Sequence, residues 1–147
     1  MQIVIEKTVS KEVTRNCVLT RARQISRVLT AIYDQELQPY GVKSPQFTLL
    51  VLIAEFGPLS RAELGRRNHQ DRSTLTRNLQ PLIEQGWVFE DQSLGGRRRP
   101  LSLTGQGLDL LNTAAPGWSA AQAKAQKLLG EDGRAAIMAV ADKLPRA

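Results

Sequence analysis

The chain has 147 residues, 41% hydrophobic and 23% charged, which is ordinary for one folded domain and excludes disordered, fibrous and collagen-like classes. Its charge is less ordinary: net +6 with a pI near 10.0, and 14 of the 20 basic residues are Arg, whose planar donor fork suits phosphates and guanine edges. One cysteine and one histidine exclude a disulfide framework and a cysteine-rich zinc site, and they leave no metal cluster and no cofactor set.

In chain order, the first ten residues read as a loose arm. They lack the apolar run of a signal peptide, and no stretch approaches the ~18 apolar residues of a membrane span, so a cytoplasmic protein is expected. Over 11–38, Val18, Ile25, Val28, Leu29, Ile32, Tyr33 and Leu37 recur at three- and four-residue steps. That periodicity predicts one long helix, stopped by Pro39 and Gly41. Ser44-Pro45 reads as an N-cap followed by proline, opening an almost wholly apolar core helix over 46–55 that Gly57-Pro58 ends. Ser60 with Glu63 has the pattern of a capping box before a short helix to about Arg67. Asn68-His69-Gln70 is then a polar turn, and Asp71 caps a helix that ends at Gly86.

A strand is predicted from Trp87-Val88-Phe89, a turn at Ser93-Leu94-Gly95-Gly96, and a return strand at Leu101-Ser102-Leu103. Thr104 caps a helix to about Thr113, Pro116-Gly117 is expected to kink or interrupt it before an alanine-rich stretch to Leu129, and a last short helix covers 134–144. The predicted fold is mainly α with a small β-hairpin. Residues 44–103 form a helix-turn-helix lobe, and the long helices of 11–43 and 104–147 flank it within a single domain.

On a helical wheel, Leu75, Leu79, Leu82 and Ile83 gather on one face of the helix after Asp71. Ser73, Thr74, Arg77, Gln80 and Glu84 lie opposite, with Arg72 and Thr76 flanking the first turn. The exposed N-terminal half thus holds hydroxyls and guanidiniums with almost no acid, which suits a helix whose first turns enter a major groove. Arg97, Arg98 and Arg99 at a hairpin tip cannot be core and are placed to reach a minor groove.

These segments resemble the MarR family of winged-helix regulators. The residues that carry the likeness are Leu64-Gly65 through Asp71-Arg72-Ser73-Thr74-Leu75-Thr76-Arg77-Asn78-Leu79, the Ile83-Glu84-Gln85-Gly86-Trp87-Val88 junction, and Leu103-Thr104 with Gly107. The resemblance implies a homodimer joined by its first and last helices, bound to a pseudo-palindromic double-stranded DNA operator. Such a protein is a repressor released by a small-molecule effector or an oxidant. It places recognition-helix contacts on Arg72, Ser73, Thr74, Thr76 and Arg77, and the wing-tip arginine on Arg97, with Arg98 sharing its role. Arg61 and Arg66 or Arg67 are expected at phosphates. Gly95 stands where wings of the family often carry an Asp, which implies a looser wing. Pro81 lies inside the recognition helix and is expected to kink it near Arg77.

Cys17 is a candidate redox sensor because one branch of the family senses hydroperoxides through a cysteine in this helix, although Cys17 lies about two residues off that position. Arg15 and Arg21 are candidates to lower its pKa, while the ordinary role of a free Cys is that of a small hydrophobe. His69 is expected to be a turn residue or phosphate contact rather than a metal ligand. Tyr33, Tyr40 and Phe47 are candidates for lining an effector pocket, with Trp87 and Trp118 in core or dimer packing. The rival class is a winged helix that docks an acidic protein partner. An enzyme is excluded by the absence of a nucleophile–base pair, a metal set and a glycine-rich phosphate loop.

Overall fold

The computed structural model describes residues 2–145. The elements are α1 (Gln2–Asn16), α2 (Val18–Leu37), α3 (Ser44–Phe56), α4 (Arg61–Arg67), α5 (Arg72–Glu84), β1 (Val88–Glu90), β2 (Leu101–Leu103) and α6 (Gly105–Asp142). The fold is the predicted mainly helical one with a β-hairpin.

Its ends differ from the sequence reading. The expected loose arm is helical from Gln2, and the expected single helix is divided at Cys17, whose backbone is extended (φ −72°, ψ 114°). The division leaves no stranded amide: Cys17 N–H donates to Val13 O at 3.0 Å, and Cys17 O accepts from Arg21 N–H at 3.1 Å. A 3-10 turn (Gln38–Tyr40) follows α2, and Gly41 ends it in the left-handed region at φ 74°. The cap of α3 lies one residue earlier than expected, at Lys43, whose amide donates to Gln46 Oε1 at 3.2 Å. The Ser44 amide instead donates to Asp34 Oδ1 of α2 at 2.7 Å, which ties the two helices together.

α3 is the central pillar, which is why it is apolar on nearly every side. Leu49, Leu50 and Ile53 are at most 1% exposed, and Leu37, Leu64, Leu79, Leu82, Leu101 and Ala114 join them with no exposure. One continuous cluster therefore links α2, α3, α4, α5, β2 and α6. β1 and β2 are antiparallel, with Val88 opposite Leu103 and Glu90 opposite Leu101. Leu59 adds a bridge to the outer edge of β2, through Leu59 N–Leu101 O at 3.1 Å and Leu101 N–Leu59 O at 2.8 Å. That isolated bridge carries no alternating pattern in the sequence.

α6 also departs from expectation. Pro116 lies inside it without ending it, and the break falls at Gly130 (φ 71°, ψ 173°). The reason is tertiary: α6 packs along α2, and Gly117 sits at the crossing. A Cβ there would stand 2.7 Å from Glu36 O and 2.7 Å from the Tyr40 ring, so close approach of the helices requires its absence. Gly107 does the same at the start of α6, where a Cβ would meet Trp87 O at 2.3 Å. Among the described residues, no helix is long and apolar enough to cross a membrane.

Gly117→Ala tests the helix crossing. Forcing a methyl group into that contact is expected to cost about 1–3 kcal/mol through overpacking, read as a lowered urea midpoint with unchanged slope. An unchanged midpoint would refute the close approach.

Candidate nucleic-acid interface

Asp71 organises the start of α5. One carboxylate oxygen, Oδ2, accepts from the Thr74 amide at 3.1 Å and from Ser73 Oγ at 2.7 Å, so the predicted cap is present. Hydrogen bonds from Thr74, and then from Ser73, hold its pKa far below the usual carboxylate range. The Ser73 hydroxyl proton is thereby committed within the chain. Arg72, Ser73, Thr76 and Arg77 are exposed and Thr74 is half-buried, while Leu75, Leu79 and Leu82 point into the core. Arg77 Nη2 lies 3.4 Å from Thr74 Oγ1. α5 stays helical through Pro81 to Glu84.

In the turn before it, His69 adopts φ 50°, a left-handed conformation that side-chain-bearing residues seldom take. His69 lines a groove between α4, α5 and the hairpin together with Arg61, Arg66, Arg72, Arg97 and Arg99. The hairpin supplies the far wall. Asp91 Oδ1 accepts from the Ser93 amide at 2.9 Å and from its hydroxyl at 2.6 Å, and Ser93 correspondingly lowers the Asp91 pKa. Gly95 (φ 71°) and Gly96 (φ 62°) then turn the chain, leaving Arg97, Arg98 and Arg99 exposed.

The acids around this face are all engaged. Glu63 pairs with both Arg66 (2.8 Å) and Arg67 (3.0 Å), and the hydrogen bond from Arg66 is the main cause of its lowered pKa. The predicted capping box is therefore half formed: Ser60 Oγ accepts from the Glu63 amide at 3.1 Å, but the Glu63 carboxylate serves the arginines. Arg67 also lies 3.8 Å over the Phe56 ring. Glu90 of β1 holds Arg61 Nε at 2.8 Å. Arg61, expected at a phosphate, thus ties α4 to the hairpin, a link between residues 29 apart in the chain. Arg72, Arg97, Arg98 and Arg99 make no ion pair among the described residues. Arg99, read from the sequence as part of the arginine run at the hairpin tip but not given a named contact there, lines the same groove as Arg97.

The other candidate residues lie elsewhere. Cys17 is partly exposed at the α1–α2 break. Its thiol pKa is lowered by hydrogen bonding from Thr20, side chain first and amide second. Arg21 is not the cause, since its Nη1 faces Gln24 Oε1 at 3.3 Å and its Nε faces Arg15 O at 3.4 Å. Tyr33 and Phe47 line a cavity of about 680 Å³ between α2, α3 and α6, joined by Trp118 and Ile137. Tyr40 lies outside it and packs on Gly117. The Tyr33 hydroxyl is hydrogen-bonded to Gln122, and burial raises its pKa.

Comparison with known proteins is consistent across sequence and structure. A family model described as MarR family matches residues 40–99, from the 3-10 turn to the hairpin tip. The crystal structure of the M. tuberculosis transcriptional regulator MosR is similar, with TM-score 0.75 and 29% identity, covering 87% of this chain and 95% of that one. The structure of MosR in complex with DNA gives TM-score 0.71 and 30% identity, with 85% and 94% covered. A mutant MarR from E. coli complexed with operator DNA shares the fold at TM-score 0.76 and 20% identity, with 91% and 98% covered. The uncharacterized HTH-type transcriptional regulator YwoH of Bacillus subtilis (strain 168) is 26% identical over 87 residues, 59% of this chain, and the match spans 64% of that protein.

The Asp71 cap gives a pH test. Its folded-state pKa is depressed, so its stabilisation is complete above the unfolded carboxylate value of about 4 and declines as pH falls below it. Asp71→Asn keeps an acceptor but cannot titrate. The stability advantage of the wild type over Asp71→Asn, measured by urea unfolding, should therefore shrink steadily between about pH 5 and pH 2. A constant difference across that range would disprove the assignment.

Proposed function

The chain belongs to the MarR family, and from that premise we propose that it is a homodimeric, sequence-specific DNA-binding transcription regulator of the cytoplasm that acts as a repressor. The observation that carries this reading is the charge arrangement on one face. Glu63, Asp71, Glu90 and Asp91 each hold a cap, a turn or an ion pair, which leaves Arg72, Arg97, Arg98 and Arg99 for an external polyanion.

In this reading the first two turns of α5 enter the major groove. Arg72, Thr76 and Arg77 reach base edges or phosphates, and Thr74 and Ser73 offer acceptor oxygens. Arg97 and Arg98 enter the neighbouring minor groove. Arg66 and Arg67 share one carboxylate and keep one net positive charge for the phosphate backbone, whereas Arg61 acts chiefly by holding the wing.

A twofold dimer is supported by apolar surface on the terminal helices. Val18 is 83% exposed, Leu19 64%, Leu128 57% and Val140 61%, more than an isolated chain leaves open without a partner. Twofold pairing implies a pseudo-palindromic site with half-sites about one helical turn apart. The cavity beside Tyr33 and Phe47 is the proposed effector site. Oxidant control through Cys17 is a second reading, favoured by its lowered thiol pKa. It requires peroxide to change the DNA affinity of the wild type but not of Cys17→Ser.

Light scattering should give a particle of twice the 16.3 kDa chain mass, and Leu128→Glu with Val140→Glu should shift it toward one chain. A wild type that stays at one chain mass would rule out the dimer.

Replacing Arg97 and Arg98 together by Ala should weaken binding to the DNA upstream of the protein's own gene. It should also reduce the slope of log affinity against log salt by about 1–2, at ~0.9 per phosphate charge neutralised. An unchanged slope removes the wing from the interface. Equal affinity of the wild type for this DNA and for random duplex would favour docking on an acidic protein instead.

A further inference from the structure

The arginine groove contains one basic side chain whose charge is not fixed. His69 is the single histidine of the chain. It is exposed in the turn between α4 and α5, where it lines the groove. α4 adds Arg61 and Arg66 to that lining, α5 adds Arg72, and the hairpin adds Glu90, Arg97 and Arg99. The nearby acids are taken: Glu90 holds Arg61, Glu63 holds Arg66, and Asp71 caps α5. Among the described residues, no carboxylate pairs with the imidazole.

The imidazole does nothing for the turn itself. Main-chain bonds close it, from His69 N–H to Arg66 O at 3.3 Å and from Gln70 N–H to Gly65 O at 3.0 Å. The His69 side chain makes no hydrogen bond to another described residue. At φ 50°, glycine or asparagine would take the same backbone conformation at lower cost. The use of this side chain therefore lies in what enters the groove from outside.

Near neutral pH an imidazole exchanges between its two protonation states. The neutral ring donates one hydrogen bond, whereas the protonated ring donates two and carries a full positive charge. A phosphate in this groove favours the protonated ring, through a charge-assisted contact. The surrounding arginines keep their charge throughout, and carboxylates keep theirs above about pH 6. Their partners hold the pKa values of Glu63, Asp71 and Asp91 lower still. From this placement we infer that His69 holds a backbone phosphate as an imidazolium, which makes DNA binding take up a proton and weaken as pH rises. The inference rests on the DNA-binding reading above and adds its dependence on pH. Because the bound state holds more protons than the free state, removing protons favours release.

The test is fluorescence anisotropy of the full chain on two labelled duplexes, the DNA upstream of its own gene and a random sequence. Both are titrated at fixed salt from about pH 6 to about pH 8. The wild type should bind each duplex about tenfold more tightly at the acid end, since a phosphate contact ignores sequence. Its slope of log affinity against log salt should also be steeper there, by ~0.9 for each imidazolium that displaces a counterion. His69→Asn, which suits the left-handed turn, should lose both differences. Calorimetry of the wild type in two buffers of different ionisation enthalpy should show proton uptake at about pH 7, a readout that needs no variant. Zero proton uptake, an unchanged salt slope, or a pH response that His69→Asn retains overturns the inference. A pH effect confined to the upstream duplex overturns the phosphate assignment, because it marks a base contact. Absence of binding to both duplexes at every pH removes the DNA-binding reading and this inference together, whereas binding that ignores pH removes the inference alone.

Discussion

A single threonine joins the parts of this molecule that must act together. Thr104 Oγ1 donates to Gly86 O at 2.6 Å, just past α5, and accepts from the Gly107 amide at 3.1 Å, in the first turn of α6. Its own amide donates to Trp87 O at 3.0 Å. The exit of α5, the end of the hairpin and the start of the longest helix therefore share one hydrogen-bonded joint. Gly107 makes that joint possible because a side chain there would strike Trp87 O. With α5 fixed at this end, its position relative to α6 is set by short bonds rather than by a flexible connection.

The second constraint is electrostatic. A face that gathers arginines must stop its own acids from neutralising them all, and this chain does so by giving each acid a local task. The pairs on α4 involve side chains 36–49% exposed, so each contributes little stability, in the range of about 0–1 kcal/mol. The Arg61–Glu90 pair is different, with Glu90 only 11% exposed. Its main effect is geometric, since it fixes the hairpin base against α4 while the tip, with its two left-handed glycines, keeps freedom to adjust to a bound polyanion.

What the sequence revealed was governed by range. Asp71, Ser60 and Thr104 act within three residues, and each cap could be read directly. The buried face of α5 followed from its 3.6-residue period. The division at Cys17 could not be read because no proline or glycine marks it and both flanking hydrogen bonds survive. Pro116 suggested a break that packing against α2 overrides. The Ser44–Asp34 and Arg61–Glu90 contacts join residues 10 and 29 apart, and no local pattern encodes either. Among the expected site residues, those on α5 and the hairpin tip share one face. Arg61 is turned to an internal partner, and Tyr40 lies apart from Tyr33 and Phe47.

The same geometry bears on how a ligand could reach DNA affinity. α3 has two working faces: Phe47, Thr48, Val51 and Leu52 line the cavity, whereas Leu49, Leu50 and Ile53 belong to the core that includes Leu75 and Leu79 of α5. A close-packed core transmits displacement because it has no voids to absorb it. A molecule wedged against Phe47 would therefore press α3 toward α5, while Thr104 holds the far end of α5 in place. The first turns of α5 carry Arg72 and Arg77, so a shift of α5 in the core would reach them through Leu75. A ligand shifts DNA binding only by its difference in affinity for the two arrangements, typically about 1–3 kcal/mol. A cavity of this size with no charge to satisfy can supply that through apolar contact alone.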